Sequence, residues 1–279
     1  MFNLYSSSFW AQLNEKKVLL KTFEYENIRF QSKRILFLIN LIIPYKYSDF
    51  AHITCSNSKI GMSSASLNDF FKKGLTKKVI IFKNIRVFEI DNLKRILILR
   101  NRKVYFHIIG DPWLKKSSAI KKSRDLKRLR KKVDNIVFKS VPLIFLKDSI
   151  MDDILKMLKN SLIRKKVKST EISRLIDFLL NIRILPKPKD IDFLVDLLYV
   201  NDSIIAAHIG IKSLSTYLYW LPCYDVNYSI ISPGQQLLFS ILDNAKSTGI
   251  ELVDFGNGDE PYKRWFATGS LCSISGVSL

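Results

Sequence analysis

Apolar residues along the chain form short clusters whose spacing indicates which segments are strands and which are helices. Clusters rich in Ile, Val, Phe and Leu, separated by polar turns, predict strands at residues 28–43, 78–90, 96–99 and 104–109. Between them, residues 61–73 fit a helix that is capped by Ser66. We therefore expect an α/β arrangement in the first 110 residues.

Beyond residue 140 the same patterns predict strands and helices in a definite order. A strand at 141–146 precedes helices at 148–159 and 170–181, and strands follow at 193–200, 203–211 and 217–221. Asn201-Asp202 fits a tight turn between the first two of these three strands. A helix beginning at Pro233, a strand at 251–255 and a last strand at 271–279 complete the order.

A strongly basic segment separates the two patterns. Lys115–Lys132 contains ten basic residues among 18, and Asp125 is its one acidic residue. Apolar side chains recur at helical spacing, at positions 120, 126, 129 and 133, which predicts an amphipathic helix with a basic outer face. That face is either an arm that contacts a polyanion or grips a substrate, or simply a solvated face on a linker helix.

The net charge of +20 is unevenly distributed along the chain. Residues 190–279 hold ten acidic and four basic residues, a net charge of −6, so residues 1–189 carry +26. A positive balance of this size is typical of proteins that bind nucleic acid or an anionic surface. Here it belongs to the first two thirds of the chain, and the last third is acidic.

Cysteine usage and hydropathy favour a cytoplasmic protein. Cys55, Cys223 and Cys272 are far apart, and neither a disulfide framework nor a zinc site fits their spacing. No secretory signal is visible at the N-terminus. The most apolar run, residues 35–43, is far shorter than the roughly 20 residues that a membrane helix requires, so we expect a buried strand and no transmembrane segment.

Two reactive residue types in apolar surroundings are predicted to be structural. His208 lies in the apolar strand 203–211, where a core or sheet-face role is commoner than catalysis. Cys223 has no histidine partner that the sequence places beside it, so a buried, inert thiol is expected.

The segment Ser232–Gln236 is a candidate seat for an anion. Serine suits the N-cap, proline suits the first helical position, and glycine lets another molecule approach the backbone. A helix N-terminus offers free N–H groups and the positive end of the helix dipole, which suit a phosphate or pyrophosphate. The candidate donor-binding residues are Ser232, Gly234, Gln235 and Gln236, with an ordinary capped helix as the alternative.

One helix and one strand later, the loop that ends in Lys263 contains more acidic, basic and proton-donating side chains than a turn requires. Asp254 ends a strand, where a carboxylate serves as a general base, orients a neighbouring cation or forms the turn. Asp259 follows in the same loop, and Tyr262 and Lys263 supply a proton donor and a cation for an oxyanion or phosphate. These four residues are the candidate catalytic group.

Several of these segments together resemble the C-terminal signature of the cellulose-biosynthesis (CelD-like) acyltransferases of the GNAT superfamily. The resemblance extends over roughly residues 190–270 and rests on Tyr224-Asp225, Tyr228, Ser232–Gly234, Asp254–Asp259, Pro261–Lys263 and Trp265–Ala267. A serine-rich and basic helix, here 117–133, also precedes the acyltransferase domain in that family. Residues 1–110 resemble a shortened and divergent first half.

The resemblance implies a fold and an activity. The fold is α/β (α+β), a mixed, twisted GNAT-like sheet flanked by helices, in two tandem halves of which the first is divergent. The implied regions are a first half at 1–113, a basic helical arm and linker at 114–147, and a C-terminal acyltransferase domain at 148–279. The implied reaction transfers an acyl group, expected to be acetyl, from acyl-CoA to an amine on a sugar or lipid-linked precursor in polysaccharide or envelope biosynthesis, without a metal.

The resemblance also gives each candidate residue a role. Ser232, Gly234, Gln235 and Gln236 are expected to hold the donor's phosphate. Asp254 and Asp259 would position or deprotonate the acceptor amine, Tyr262 would protonate the leaving group, and Lys263 would stabilise negative charge on the carbonyl oxygen.

Two alternatives stay open at this point. Fem-type transferases share a strand ending in Asp-Phe and a later aromatic-Lys pair, and they use aminoacyl-tRNA. The Ser-Pro-Gly-Gln-Gln segment also departs from the Arg/Gln-x-x-Gly-x-Gly/Ala loop with which ordinary GNAT enzymes bind coenzyme A. The other alternative is a non-catalytic protein on a GNAT scaffold that binds a polyanion through Lys115–Lys132.

Overall fold

The computed structural model of the protein describes residues 21–25, 28–36, 39–43, 79–87, 90, 96–111, 117–133, 135–184 and 191–278. The helix predicted at 61–73 lies outside these residues. The strands are β1 Lys21–Tyr25, β2 Ile28–Leu36, β3 Ile39–Ile43, β4 Val79–Val87, β5 Ile96–Ile108, β6 Ile136–Pro142, β7 Asp192–Val200, β8 Ser203–Ser213, β9 Thr216–Tyr224, β10 Leu252–Asn257 and β11 Gly269–Ser278. The α-helices are α1 Ser117–Arg130, α2 Asp148–Arg164, α3 Ser169–Ile184, α4 Pro233–Asn244 and α5 Pro261–Phe266, and 3-10 helices span Leu143–Phe145 and Val226–Ile231.

The chain forms two compact units. One unit combines the described residues up to His107 with those from Asp254 onward, and the other comprises Ile108–Val253. The boundaries predicted at residues 113 and 147, and the division into two tandem halves, stay predictions.

The first unit contains a mixed sheet with the strand order β1-β2-β3-β4-β11-β5-β10. β3 and β4 run parallel, whereas β11 is antiparallel to both β4 and β5. α5 connects β10 to β11. Buried side chains of β5, α5 and β11, among them Val104, Phe266 and Ile274, form its core. The predicted α/β class is confirmed.

Two strand predictions in this unit were wrong in their bounds. The single strand predicted at 28–43 is the antiparallel pair β2 and β3, in which Lys33 lies opposite Leu41. Conversely, the two strands predicted at 96–99 and 104–109 form one strand, β5. The polar residues between them continue the strand because they pair with β11, with Asn101 opposite Ile274.

The second unit is built on an antiparallel meander, β6-β7-β8-β9. The predicted turn between β7 and β8 is confirmed: Asn201 and Asp202 have φ of 46° and 67°, as a tight hairpin turn of type I′ requires. α4 packs on β7, β8 and β9, and α2 packs on β9. Buried residues such as Val195, Ile209 and Leu237 form the core.

The strand predicted at 141–146 lies earlier in the chain, as β6. Pro142 has no N–H to donate to a sheet, and the backbone then turns into the 3-10 helix, where the Leu146 N–H donates to the Leu143 carbonyl. The helix predicted from the basic segment is confirmed as α1, and the helices predicted at 148–159 and 170–181 are α2 and α3. Among the helices in the described part of the chain, none combines the length and apolarity needed to cross a membrane.

Candidate active site

The predicted anion seat is the N-terminus of α4, where the backbone makes an unusual turn. Ser232 adopts the left-handed conformation, with φ 54° and ψ 56°, between the 3-10 helix Val226–Ile231 and Pro233. Its side chain makes no capping hydrogen bond. Instead its carbonyl oxygen accepts from the amides of Gln235 and Gln236, each at 3.0 Å. The cap is therefore formed by the backbone of Ser232 and not by its hydroxyl.

Gly234 has no side chain of its own beside its backbone amide. Among the described residues, its amide meets no hydrogen-bond acceptor. A Cβ at this position would lie 3.5 Å from Cδ1 of Tyr224, an ordinary contact distance. The glycine therefore leaves a narrow opening beside the aromatic ring at the end of β9.

The two glutamines of the seat have different surroundings. The buried side chain of Gln236 donates from Nε2 to the backbone carbonyl of Leu126, at 2.7 Å. The buried Oε1 of Gln235 meets no hydrogen-bond partner in the part of the chain that the structure describes. Gln236 thus joins α4 to the basic helix α1, and Gln235 keeps an unused acceptor.

The basic helix α1 is amphipathic, as its pattern predicts. Ala119, Ser123 and Leu126 are buried, and the helix packs against α4 and the 3-10 helix that precedes it. Lys121, Arg124 and most of the other basic residues face outward. A basic face is therefore held next to the helix that carries the predicted anion seat.

In the other unit, Asp254 is fully buried in the middle of β10, because the strand continues to Asn257 and does not end at Asp254 as the sequence predicted. Its Oδ1 accepts from the amide of Gly256 at 2.7 Å, and Gly256 has a φ of 67°. A carboxylate that bonds the amide two residues ahead stabilises a turn. Here the bond lies within β10 and supports the left-handed backbone at Gly256. The three roles that the sequence left open for Asp254 stay predictions.

Asp259 is exposed and is the centre of a small polar cluster. Its carboxylate accepts from the Tyr105 hydroxyl at 2.5 Å and from Arg264, whose Nε lies at 2.8 Å and whose terminal nitrogen bonds the second oxygen. The bonds from Arg264 and then from Tyr105 lower the pKa of Asp259, so that its carboxylate stays ionised.

Tyr262 and Lys263 lie on α5 in contrasting states. Lys263 is buried, with 4% of its surface exposed, and its Nζ pairs with Oε2 of Glu260 at 2.8 Å. Burial first, and the Glu260 carboxylate second, raise the pKa of Tyr262, so its hydroxyl holds its proton. Gly258 leaves room for Glu260, because a Cβ there would meet that carboxylate at 2.3 Å.

Sequence reasoning missed three residues around these candidates. Glu260 lies three residues before Lys263, so helical spacing was a usable signal for that pair. Arg264 lies five residues after Asp259, which is not a helical-neighbour spacing, so only their nearness in sequence connects them. Tyr105 lies 154 positions before Asp259, and no local signal connects them. The four donor-seat residues lie together in one unit, and the four loop residues lie together in the other.

A second polar network is buried inside the meander. His208 Nδ1 lies 3.1 Å from Asp196 Oδ2, and the Tyr217 hydroxyl donates to the same oxygen. Because the Trp220 amide donates to Nε2 at 2.9 Å, the ring proton is on Nδ1 and points to Asp196. Burial lowers the pKa of His208. The predicted core role of His208 is confirmed.

Cys223 and the possible metal ligands offer no further catalytic group. Burial raises the pKa of the Cys223 thiol to about 12, which agrees with the inert thiol that the sequence predicts. Within the described ranges, no three His, Cys, Asp or Glu side chains are placed to hold a metal ion together.

Residues 183–264 match the family described as the acetyltransferase (GNAT) domain. The chain carries a GNAT-type domain. The matched residues run from the end of α3 to Arg264, so the GNAT-type domain includes every candidate residue of both groups. No curated protein matches the sequence.

Solved structures resemble the chain in fold. The C-terminal domain of a protein described as a lysylphosphatidylglycerol synthetase from Agrobacterium fabrum has a TM-score of 0.53 at 12% identity, covering 93% of this chain and 84% of that one. A conserved protein of unknown function from Bacteroides thetaiotaomicron has a TM-score of 0.53 at 13% identity, covering 95% of this chain and 88% of that one. FemX has a TM-score of 0.53 at 10% identity, covering 97% of this chain and 92% of that one. Identities this low establish the fold alone; membership of the CelD-like family stays a prediction.

Proposed function

We propose that the protein is a CelD-like N-acyltransferase that moves an acyl group, expected to be acetyl, from acyl-CoA to an amine acceptor in polysaccharide or envelope biosynthesis. The observation that carries the proposal is the GNAT-domain match over residues 183–264. The proposed location is cytoplasmic, which the cysteine usage favours.

The N-terminus of α4 is proposed to hold the phosphate groups of the donor. Gly234 offers an amide at the positive end of the helix dipole, and no side chain of its own blocks approach. Ser232 and Gln235 flank that amide, and Gln236 fixes the helix by its bond to Leu126.

The loop residues are proposed to manage the protons of the reaction. The amine nitrogen forms a bond to the acyl carbon, the carbon–sulfur bond breaks, the nitrogen loses a proton and the thiolate gains one. The raised pKa of Tyr262 suits a proton donor to sulfur. The lowered pKa of Asp259 makes it a weak base and favours positioning of a cationic group. Asp254 is the proposed base, and Lys263, paired with Glu260, is proposed to stabilise the oxyanion.

A charge placed at Gly234 tests the donor seat without disrupting the helix. An acidic residue in the first turn stabilises a helix but repels a phosphate. We expect Gly234→Asp to weaken acetyl-CoA binding at least tenfold in calorimetry, with an unchanged or higher Tm, and the neutral Gly234→Asn to weaken it much less. If acetyl-, succinyl- and palmitoyl-CoA all fail to bind the unaltered protein, the acyl-CoA proposal is wrong.

Substitutions in the loop test the proton-transfer roles. Loss of a general acid or base typically costs 100-fold to 10,000-fold in rate. Tyr262→Phe should reduce the release of coenzyme A in the presence of an amine acceptor by a factor of this size. Asp259→Asn, which removes the proposed positioning carboxylate, should also reduce it, and both are compared in protein whose circular dichroism is unchanged. Asp243→Asn, an exposed substitution near the end of α4, is the matched control and should retain full activity. Full activity in both loop variants would remove the proposed roles.

A second candidate donor is aminoacyl-tRNA. The observation that favours it is the bond from Gln236 to Leu126, which holds the basic helix α1 beside the donor helix. The test measures transfer of radiolabelled amino acids from total aminoacyl-tRNA to an amine acceptor, beside transfer from acetyl-CoA. Transfer from tRNA alone would replace the coenzyme A donor, and binding to RNA without either transfer would favour the non-catalytic polyanion-binding protein.

A further inference from the structure

An open pocket of about 660 Å³ lies in the second unit, between α2 and the ends of β7, β8 and β9. Its floor consists of Tyr199, Ile204 and Tyr224. Tyr199 pairs with Ile204 beside the hairpin turn, and Tyr224 at the end of β9 lines the same pocket. The volume is within the range of small-molecule sites.

The wall that α2 contributes is mostly polar, with Ile150 and Met157 as its apolar members. Asp153, Lys156, Asn160 and Arg164 are spaced at three or four residues and therefore lie on one face of the helix. A wall of this kind disfavours an apolar ligand. The pocket therefore suits a polar ligand that makes several directed contacts.

Both signs of charge line the pocket. Asp202 at the hairpin turn and Asp225 at the end of β9 add two carboxylates to that of Asp153. Among the described residues, neither Asp153 nor Asp202 forms an ion pair, and neither Lys156 nor Arg164 does. These charges are available to a ligand, and three carboxylates disfavour a polyanion.

The floor of the pocket extends to the donor helix. Tyr224 has the Arg164 guanidinium above its ring, with Cζ 5.6 Å from the centroid. The same ring lies against Gly234, where a Cβ would be 3.5 Å away. Asp225, which lines the pocket, caps the 3-10 helix that leads directly to Ser232. A ligand in the pocket is thus next to the proposed donor seat.

We propose that this pocket binds the acyl acceptor, and that the acceptor is a small polar molecule that carries both a primary amine and an anionic group, either a carboxylate or a phosphate. The carboxylates Asp153 and Asp202 hold the ammonium form, and Arg164 with Lys156 holds the anionic group. The proposal rests on the proposed function, because it names the substrate of that reaction. For transfer, the ammonium first gives up a proton to the Asp153 or Asp202 carboxylate. The neutral amine nitrogen then bonds the acyl carbon as the donor's carbon–sulfur bond breaks, the nitrogen loses a second proton to solvent, and the thiolate gains one.

The test measures binding of defined probes by calorimetry without any donor. Glucosamine 6-phosphate and L-lysine represent the phosphate and carboxylate forms of the acceptor. Their matched controls are glucose 6-phosphate, which lacks the amine, and 1,5-diaminopentane, which lacks the carboxylate. At least one probe is expected to bind tenfold or more tightly than its control, and the tighter probe identifies the anionic group.

Matched variants on α2 decide whether the binding is in the pocket. Asp153→Asn is expected to weaken the binding of the tighter probe at least tenfold. Asp152→Asn, at the neighbouring exposed position, is expected to leave the affinity for that probe unchanged. Arg164→Gln is expected to weaken the same probe, and Arg174→Gln on α3 is its control. The proposal is overturned if neither probe binds more tightly than its control, or if Asp152→Asn weakens binding as much as Asp153→Asn.

The outcome also separates this proposal from the proposed function. Acetyl-CoA binding without probe binding overturns the acceptor site alone. Probe binding that depends on Asp153, with no binding of any acyl-CoA, overturns the acyl-CoA donor and leaves the acceptor site in place.

Discussion

At the scale of single residues, Gly210 shows how closely the buried network of the meander is packed. A Cβ at this position would lie 2.1 Å from the Tyr217 hydroxyl oxygen and 2.3 Å from its Cζ. Both atoms belong to a fully buried ring whose hydroxyl is bonded to Asp196. The tyrosine therefore has little freedom to move away.

We expect Gly210→Ala to lower the free energy of unfolding by about 1–3 kcal/mol, the usual cost of overpacking a core. Urea denaturation measures the change. Gly234→Ala is the control, because its Cβ would make an ordinary contact and alanine favours a helix more than glycine does. Equal stability of Gly210→Ala and the unaltered protein would show that the network repacks without cost.

His208 gives the stability of the protein a dependence on pH. Burial lowers its pKa from 6.5, and the hydrogen bond to Asp196 opposes this effect only partly. The unfolded chain therefore takes up the proton at a higher pH than the folded chain does. The stabilising contribution is present above pH 6.5 and is lost as the pH falls from 6.5 towards the pKa of the folded state.

We expect the free energy of unfolding to decline below pH 6.5, and to decline less steeply in His208→Gln, which has no titrating ring. Urea denaturation at pH values on either side of 6.5 compares the two slopes. The prediction fails if both proteins lose stability equally over this interval.

Residue-scale prediction from the sequence succeeded where the signal was local. The buried roles of His208 and Cys223 followed from their apolar neighbours. The partner of His208 could not be predicted from the sequence. A regular two-residue turn at 201–202, without a bulge, would place Asp196 opposite Ala207. A bulge between Leu198 and Tyr199 shifts the register by one residue and brings Asp196 opposite His208.

At the scale of elements, one buried side-chain hydrogen bond adds to the packing that attaches α1 to α4. Gln236→Leu keeps the size of the side chain but removes the hydrogen bond to Leu126. We expect a loss of about 1 kcal/mol in stability, and faster hydrogen exchange in residues 117–133 because α1 loses its anchor.

An exposed hydrogen bond from a side-chain amide provides the control for this substitution. Asn181 donates from Nδ2 to the carbonyl of Asp177 on the surface of α3. Asn181→Ala should leave both stability and the exchange of α1 nearly unchanged. Exchange in α1 that is the same in Gln236→Leu and the unaltered protein would mean that other contacts hold the helix.

Elements were predictable where one periodicity dominated. The meander, α2, α3 and the last strand follow from regular apolar spacing and from the Asn201-Asp202 turn. The 3-10 helix at Val226–Ile231 and the short α5 are less than two turns of α-helix long, so they carry too few residues for a periodic signal. The left-handed conformation of Ser232 could not be predicted from the sequence, because serine rarely adopts a positive φ.

At the scale of the whole molecule, the excess positive charge predicts salt-sensitive binding of polyanions. The outward basic residues of α1 are concentrated on one exposed face. We expect a triple variant, Lys121→Gln with Arg124→Gln and Lys127→Gln, to weaken binding of single-stranded RNA. Each lost phosphate contact reduces the slope of log affinity against log salt by roughly 0.7, or about 2 for three contacts. Fluorescence anisotropy over a salt series measures the slope.

A variant with the same loss of charge elsewhere in that unit is the control. The exposed residues Lys159, Lys165 and Lys166, near the end of α2, are changed to glutamine. If both triple variants reduce the slope equally, net charge and not the face of α1 determines the binding.

The position of β11 has a consequence for synthesis on the ribosome. This strand lies between β4 and β5, with Cys272 opposite both Val87 and Lys103. Those two strands emerge long before their shared partner and present unpaired edges meanwhile. In the meander, by contrast, each strand pairs with the next strand along the chain. A nascent chain halted before residue 269 should therefore hold a protease-resistant meander while β4 and β5 recruit chaperones.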